Sequence, residues 1–384
     1  MTTGSQPSSN EPTLALVFSG GGARAAYQAG VLEAIAECAP ELDVPILTGV
    51  SAGAINATSL AAHPGSFGQA VSDLRREWER LTPSQVYRVE PIRVGGAMWR
   101  WAFNMLVRRR KAPPVLRGLM DMQPLKYFLK DCIDFGGIAR NIAAGRLRAA
   151  ALSATCYNTG QTVTFVEGRE DVELWQRFMR VAVGTRLDVE HLMASTAIPL
   201  IFPAQKIGNA FYGDGSVRQT APLAPAIHLG ANRIVAVAMR AESPAETCAT
   251  VSMDYPVAAE VFGLLLHSVF LDSLDADAER LERVNEVLRA VPSGHDLPGG
   301  LRPVDLLLLR PSRDLAEMAR GCQAELPGAV EFLVRSIGGA QAKGSDFQSY
   351  LMFQPEYTGP LMELGYQDAK AQRGEIERFL AAGR

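Results

Sequence analysis

The 384-residue chain is poor in the residues that build metal and redox centres. It has five cysteines, Cys38, Cys132, Cys156, Cys248 and Cys322, with no Cys-x-x-Cys pair and no histidine cluster among its five histidines. An odd, dispersed set argues against structural zinc and fits reduced thiols in a cytosolic protein. No cofactor and no metal are therefore expected. There is no uninterrupted apolar run of about eighteen residues, the length needed to cross a bilayer. The polar first twelve residues lack the basic start of a secretory signal, so a cytoplasmic location is expected. Net charge is only −3, which argues against general nucleic-acid binding. Disorder of the whole chain is excluded as well, because 47% of the residues are hydrophobic, enough for a sizeable core. The length allows one large domain or two ordinary ones.

Against this background one short stretch stands out. Residues 47–57 read Leu-Thr-Gly-Val-Ser-Ala-Gly-Ala-Ile-Asn-Ala and contain Gly49-x-Ser51-x-Gly53. An apolar strand over 44–47 precedes it and a small-residue helix over 52–62 follows. A tight strand-to-helix turn of this kind lifts one serine hydroxyl above the top of a sheet. The flanking glycines leave room where a Cβ would meet the neighbouring strand and helix. The five-position motif alone recurs by chance in many chains; its setting between strand and helix raises its weight.

A second glycine-rich turn lies upstream. The apolar run Leu14–Phe18 ends in Ser19-Gly20-Gly21-Gly22-Ala23-Arg24, and residues 25–39 have helical composition. Backbone amides at such a turn point outward at a helix N-terminus and suit an anion. That anion is either a phosphate or the oxyanion of a tetrahedral acyl intermediate. Arg24 adds positive charge just inside the helix. Gly20-x-Gly22-x-x-Ala25 also fits the dinucleotide fingerprint, with Glu41 or Asp43 at the acidic position. The second strand, however, leads straight into Gly-x-Ser-x-Gly, where a ribose-binding acid would normally close it.

The third feature is Ala194-Ser-Thr-Ala-Ile-Pro199, followed by Tyr212-Gly213-Asp214-Gly215-Ser216. Two glycines let a loop bring the Asp214 carboxylate close to another backbone. Taken alone, Asp-Gly is more simply a hairpin turn.

Taken in order, these motifs resemble the pattern of the patatin-like phospholipases across roughly residues 13–240. The resemblance implies a three-layer α/β/α sandwich with a mainly parallel central sheet. It implies a serine lipid acyl hydrolase acting on a phospholipid or another acyl ester through a Ser-Asp dyad, with no histidine. Ser51 would be the nucleophile at an elbow formed by Gly49 and Gly53, and Asp214 the general base. The amides around Gly20, Gly21 and Gly22 would form the oxyanion hole, with Arg24 near it. The chain departs from the family at Ser216, where glycine or alanine is usual. Acyl transfer by the same dyad and a non-catalytic lipid-binding regulator are the competing readings. A carboxylate serving directly as base must reach within about 3 Å of the hydroxyl, and partial burial would raise its pKa usefully. His228 follows Asp214 and could extend the order to Ser-Asp-His, but its neighbours read as a helix end feeding the strand over 233–239.

Residues 1–12 read as a disordered tail, 13–240 as the catalytic core, and 241–384 as a helical and strand elaboration on the same domain. An exposed helix is expected over 68–82, a hairpin at the sheet edge over 148–167, a helix over 179–195, a long helix over 256–291 and a fully buried strand over 304–309. Residues 93–117 mix Trp99, Trp101 and Phe103 with seven arginines and lysines and no acid. That composition suits peripheral contact with an anionic membrane, and equally a loop with packed aromatics and solvated arginines, or a lid. Oligomeric state is not legible.

Overall fold

Apolar runs of five residues, flanked by glycine and small residues, lay down the centre of the sheet. A strand buried on both faces reads as a continuous apolar run, and β1 (Leu14–Phe18), β2 (Ile46–Val50) and β11 (Arg233–Val237) are buried at every position. The computed structural model describes residues 13–89, 118–241, 272–292, 301–322 and 345–382. The expected tail 1–12, the basic aromatic segment 93–117 and the first part of the helix expected over 256–291 lie outside the described residues.

The strands follow in chain order as β3 (Arg88–Val89), β4 (Met120–Asp121), β5 (Ala149–Cys156), β6 (Thr162–Gly168), β7 (Gln176–Arg177), β8 (Arg180–Gly184), β9 (Gln205–Ile207), β10 (Ala210–Asp214), then β11 and β12 (Asp305–Leu309). The main sheet runs β12-β11-β1-β2-β5-β6-β8-β7. From β12 to β5 every pairing is parallel. β6 turns back antiparallel on β5, and β8 returns parallel to β6. β10 pairs antiparallel with the end of β5, and β9 with β10.

Alternation along β1 divides the core. Leu14, Leu16 and Phe18 belong to one apolar cluster, Ala15 and Val17 to the other. The first face carries α1 (Ala26–Cys38), α2 (Ala52–Ala62), α3 (Phe67–Arg80), α4 (Pro83–Val86), α5 (Gln123–Cys132), α6 (Gly136–Ala143) and α7 (Val189–Thr196). The second carries α8 (Ala224–His228) and α9 (Asp272–Ala290). α10 (Leu315–Arg320), α11 (Ser345–Leu351), α12 (Pro355–Ala371) and α13 (Arg373–Ala381) return to the first face. Helices on both sides of a mainly parallel sheet make the three-layer α/β/α sandwich expected of the sequence. Among the described residues no helix is long and apolar enough to cross a membrane.

Several elements differ from their expected form. The strand before Ser51 spans Ile46–Val50 rather than 44–47, since Thr48 and Gly49 stay paired with β5 up to Val50 opposite Ser153. The β5–β6 hairpin is not at the edge: β8 and β7 extend the sheet beyond it. Arg180–Gly184 is a strand instead of helix, because its Arg-Val-Ala-Val alternation pairs with β6, and helix begins only at Val189. β12 is an edge strand with alternating burial, not a fully buried one. α3 is amphipathic rather than simply exposed, burying Ala70, Val71, Leu74 and Trp78.

Candidate active site

The site is built where β2 stops. Val50 pairs with Ser153, and the chain then turns sharply through Ser51 into α2. Ser51 has φ 55° and ψ −133°. Positive φ is uncommon outside glycine and costs of order 1–3 kcal/mol, so the surroundings must impose it. The neighbouring glycines show how: a Cβ at Gly53 would lie 2.4 Å from the Ser19 carbonyl oxygen, and one at Gly49 2.5 Å from that of Gly53. A hydrogen-bond relay fixes the turn from beneath. The Ser51 amide donates to Ser195 Oγ at 3.0 Å, and Ser195 Oγ donates to the Ser153 carbonyl at 2.7 Å.

Asp214 reaches the same place along the same strand edge. β6 holds one edge of β5; β2 holds the other as far as Ser153, and β10 takes over there, with Asp214 opposite Ala154. Ser51 and Asp214, far apart in sequence, thus follow the last β2 residue and close β10 at successive β5 positions. The Asp214 amide donates to the Ala197 carbonyl at 2.8 Å, and Thr155 Oγ1 donates to the Asp214 carbonyl at 2.9 Å. The end of α7, through Ser195 and Ala197, therefore pins the backbones of both residues.

The Asp214 carboxylate is completely buried. Its Oδ1 accepts from the Ser216 amide at 2.9 Å, whereas buried Oδ2 accepts no well-formed hydrogen bond among the described residues. Burial pushes its pKa up to about 6, and the Ser51 hydroxyl and the Ser216 amide and hydroxyl limit the rise. The Ser51 hydroxyl lies beside this carboxylate without forming a hydrogen bond to it among the described residues. Ser216, the departure from the family pattern, adds a hydroxyl beside the carboxylate.

The glycine loop follows β1 as a 3-10 turn over Gly22–Ala25. Gly22 has φ 56°, and a Cβ there would come within 2.2 Å of the Tyr350 carbonyl oxygen in α11. Gly20, Gly21 and Gly22 are buried, and the amides of Gly21 and Gly22 donate to no acceptor among the described residues. A buried polar network anchors the loop: Gln28 Nε2 donates to the Ser19 carbonyl, Asn56 Nδ2 to Gln28 Oε1, and Trp78 Nε1 to Asn56 Oδ1. Arg24 is buried too, its Nε donating to Ser349 Oγ at 2.8 Å and its guanidinium 4.3 Å above the Tyr350 ring. It thus packs on α11.

His228 is elsewhere. Its ring stacks on Trp175 at 4.9 Å, and Trp175 belongs to the core cluster on the opposite face of the sheet. Ser51 instead opens onto a narrow apolar cavity of about 60 Å³. Ile55, Trp78, Leu125, Leu129 and Phe353 line it, and no described histidine does. Ser195 lies in the Ala194–Pro199 motif without a role legible there, and Gln28, Asn56 and Tyr350 carry no local sequence signal. A nucleophile-type hydroxyl, a buried carboxylate of raised pKa and two open amides can together support acyl transfer to serine.

Residues 16–227 match the family model for patatin-like phospholipases, more than half of the chain. No curated protein sequence matches. Among solved structures, human GIVD cytosolic phospholipase A2 bound to methyl gamma-linolenyl fluorophosphonate aligns at 13% identity and a TM-score of 0.46, covering 98% of this chain and 60% of that one. VipD from Legionella pneumophila aligns at 10% identity and a TM-score of 0.34, covering 97% of this chain and 67% of that one. The chain thus spans about three-fifths of the length of the human structure.

Proposed function

The chain belongs to the patatin-like phospholipase family of lipid acyl hydrolases, and from that premise we propose that it cleaves a carboxylic ester of a lipid through a Ser51 acyl-enzyme. Phospholipid is the substrate class that the family suggests. One observation carries the reading: β2 ends opposite Ser153 and β10 opposite Ala154, which brings Ser51 beside the buried Asp214 carboxylate, whose pKa of about 6 makes it a stronger base than an exposed aspartate.

Ser51 Oγ attacks the ester carbonyl while its proton passes to Asp214. Of the loop Gly20–Gly22, the open amides of Gly21 and Gly22 receive the tetrahedral oxyanion, and they need no reorganisation because α1, α2 and α11 already hold that loop. Collapse breaks the ester C–O bond, and the leaving alkoxide takes the proton back from Asp214. Asp214 then accepts a proton from water as its oxygen attacks the acyl-enzyme; the fatty acid leaves and Ser51 regains its hydrogen. Arg24 acts in this scheme through the shape of the loop, since its guanidinium is committed to Ser349 and Tyr350.

A fluorophosphonate probe tests the assignment. The folded wild-type protein is expected to be labelled at Ser51 and to hydrolyse p-nitrophenyl esters, and Ser51→Ala to do neither. Labelling that persists in Ser51→Ala, or an unlabelled and inactive wild type, would overturn it.

A further inference from the structure

Three residues other than glycine have positive φ among the described residues: Ser51 at 55°, Met179 at 58° and Leu200 at 69°. Backbone of this kind is strained and persists only where the surroundings impose it. The elbow accounts for Ser51. The other two stand with large apolar side chains turned to water: Phe178, next to Met179, is 93% exposed, and Leu200 itself 62%.

Both lie at the Ser51 end of the sheet. β5 faces Val50 at Ser153 and Asp214 at Ala154, then runs on to Cys156 and its turn into β6. Tyr157 in that turn is three residues past Ala154, about 10 Å along a strand. The turn gathers its neighbours. Tyr157 donates its amide to the Phe211 carbonyl at 2.8 Å, and Phe211 donates its own to Asn158 Oδ1 at 2.8 Å. On the other side Thr162 donates to the Met179 carbonyl at 2.9 Å, and a Cβ at Gly160 would touch Met179. Leu200 comes shortly after Ala197, whose carbonyl accepts from Asp214, and stands in sequence between the cavity residues Ile198 and Phe202. Tyr157 and Phe211 are 44% and 45% exposed. Single exposed hydrophobics are ordinary, but four at one end, two of them at strained backbone, mark a surface with a partner.

The charge around them has one sign. Residues 155–166, 174–187 and 197–213 contain no aspartate or glutamate. Arg177 and Arg180 flank Phe178 and Met179, and Lys206 pairs opposite Phe211. Arg177 and Lys206 are exposed and Arg180 is half-buried, a local positive surplus on a chain of net charge −3. We propose that this end of the sheet docks on an anionic lipid bilayer, with Tyr157, Phe178, Leu200 and Phe211 entering the acyl boundary and Arg177, Arg180 and Lys206 meeting the headgroups. Apolar tips on separate turns can sink among fluid headgroups, whereas a protein interface asks for a contiguous packed core. Docking would present Ser51 to the bilayer, yet it stands apart from the Ser51 chemistry because binding is measured without turnover.

Cosedimentation of the full chain with vesicles tests this, in Ser51→Ala so that no lipid is consumed. Phosphatidylcholine vesicles with and without phosphatidylglycerol are compared, and tighter binding is expected to the anionic ones. Phe178→Ser with Phe211→Ser, both at exposed positions, should weaken binding to either by about tenfold or more. Changing Arg177, Arg180 and Lys206 together to Gln should weaken binding to the anionic vesicles by about fivefold per residue and erase the preference for them. Introduced into the wild-type chain, neither set is expected to change turnover of the soluble ester p-nitrophenyl acetate. No binding to either vesicle, or binding untouched by both sets, would overturn the surface. Loss in the aromatic variant alone would overturn its anionic preference. Normal docking by a chain that hydrolyses no ester would keep the surface and overturn the Ser51 mechanism.

Discussion

Ser51 divides two unlike buried regions. Behind it lies a polar layer, in which Ser195, Ser153, Thr155, Gln219 and Asp214 are all buried and joined by backbone and hydroxyl hydrogen bonds. In front lies the cavity lined by Ile55, Leu125, Leu129 and Trp78, with scarcely a polar atom until Glu77. The polar side is held by directional hydrogen bonds, with Asp214 Oδ2 and Gln219 Oε1 left without a partner among the described residues, so a change there propagates through geometry. The apolar side acts through area, and its effects come in increments of a methyl group. In the proposed reaction the first side would move the proton and the second would meet the acyl chain.

The largest effect tests the polar side at its centre. Asp214→Asn is expected to lower ester turnover by about 10⁴-fold, the scale seen when a catalytic acid–base group is neutralised. The same change should stabilise the fold. Asp214 titrates near 6 in the folded chain against an ordinary 3.8, so the native state holds the proton more tightly than the unfolded one. That contribution is fully present below about 3.8 and is lost as pH rises through about 6. At pH 7 the native protein carries the penalty of a buried charge, and the amide removes it. Thermal melts at pH 7 should show a gain of about 1–3 kcal/mol that shrinks at pH 4. Loss of both activity and stability would show the carboxylate to be structural.

Next in size is the relay beneath the elbow. Ser195→Ala strands the Ser51 amide and is expected to destabilise the chain by about 1–2 kcal/mol. Turnover should fall about 10- to 100-fold in kcat with KM for a short ester nearly unchanged, because the hydroxyl is mispositioned rather than removed. Equal losses in kcat and stability-corrected protein concentration would reduce Ser195 to a folding role. A smaller effect comes from pH alone. With the base near 6, kcat/KM on a neutral ester should be about tenfold lower at pH 5 than on its plateau above 7. A flat profile across that range would break the assignment of the base.

The two regions also differ in how far they could be read from sequence. The polar side announced itself: Gly49-x-Ser51-x-Gly53, the glycine loop and Asp214-Gly215 are local, because a strained turn and a close backbone approach demand particular small residues at fixed spacing. What sequence could not give was their meeting, which depends on β10 replacing β2 along one edge of β5. Ser195 was legible as part of a motif, but its bond to Ser51 was not. The cavity left no local mark at all. Its lining comes from α2, α3, α5 and α11, and any apolar helix face looks alike until the fold decides whether another side chain fills the space before it. The helix expected across β8 fails for a related reason, since five residues of mixed size take their form from the strand beside them.

The smallest expected effect is the most discriminating test of the apolar side. Ile55 sits one turn into α2 on the cavity wall, partly buried. Ile55→Val removes one methylene and keeps the branched shape, at a stability cost of about 0.5–1.5 kcal/mol. The side chain lines the cavity and takes no part in the hydrogen bonds of the polar layer, so turnover of p-nitrophenyl acetate should stay within experimental error. A long-chain ester seated in the cavity, as the proposed function has it, would lose one contact of about 0.8 kcal/mol, lowering its kcat/KM about fourfold. The ratio of long-chain to acetate activity therefore isolates the wall from the chemistry. If both substrates slowed together, Ile55 would be acting through the elbow, and the boundary between the two regions would not lie at Ser51.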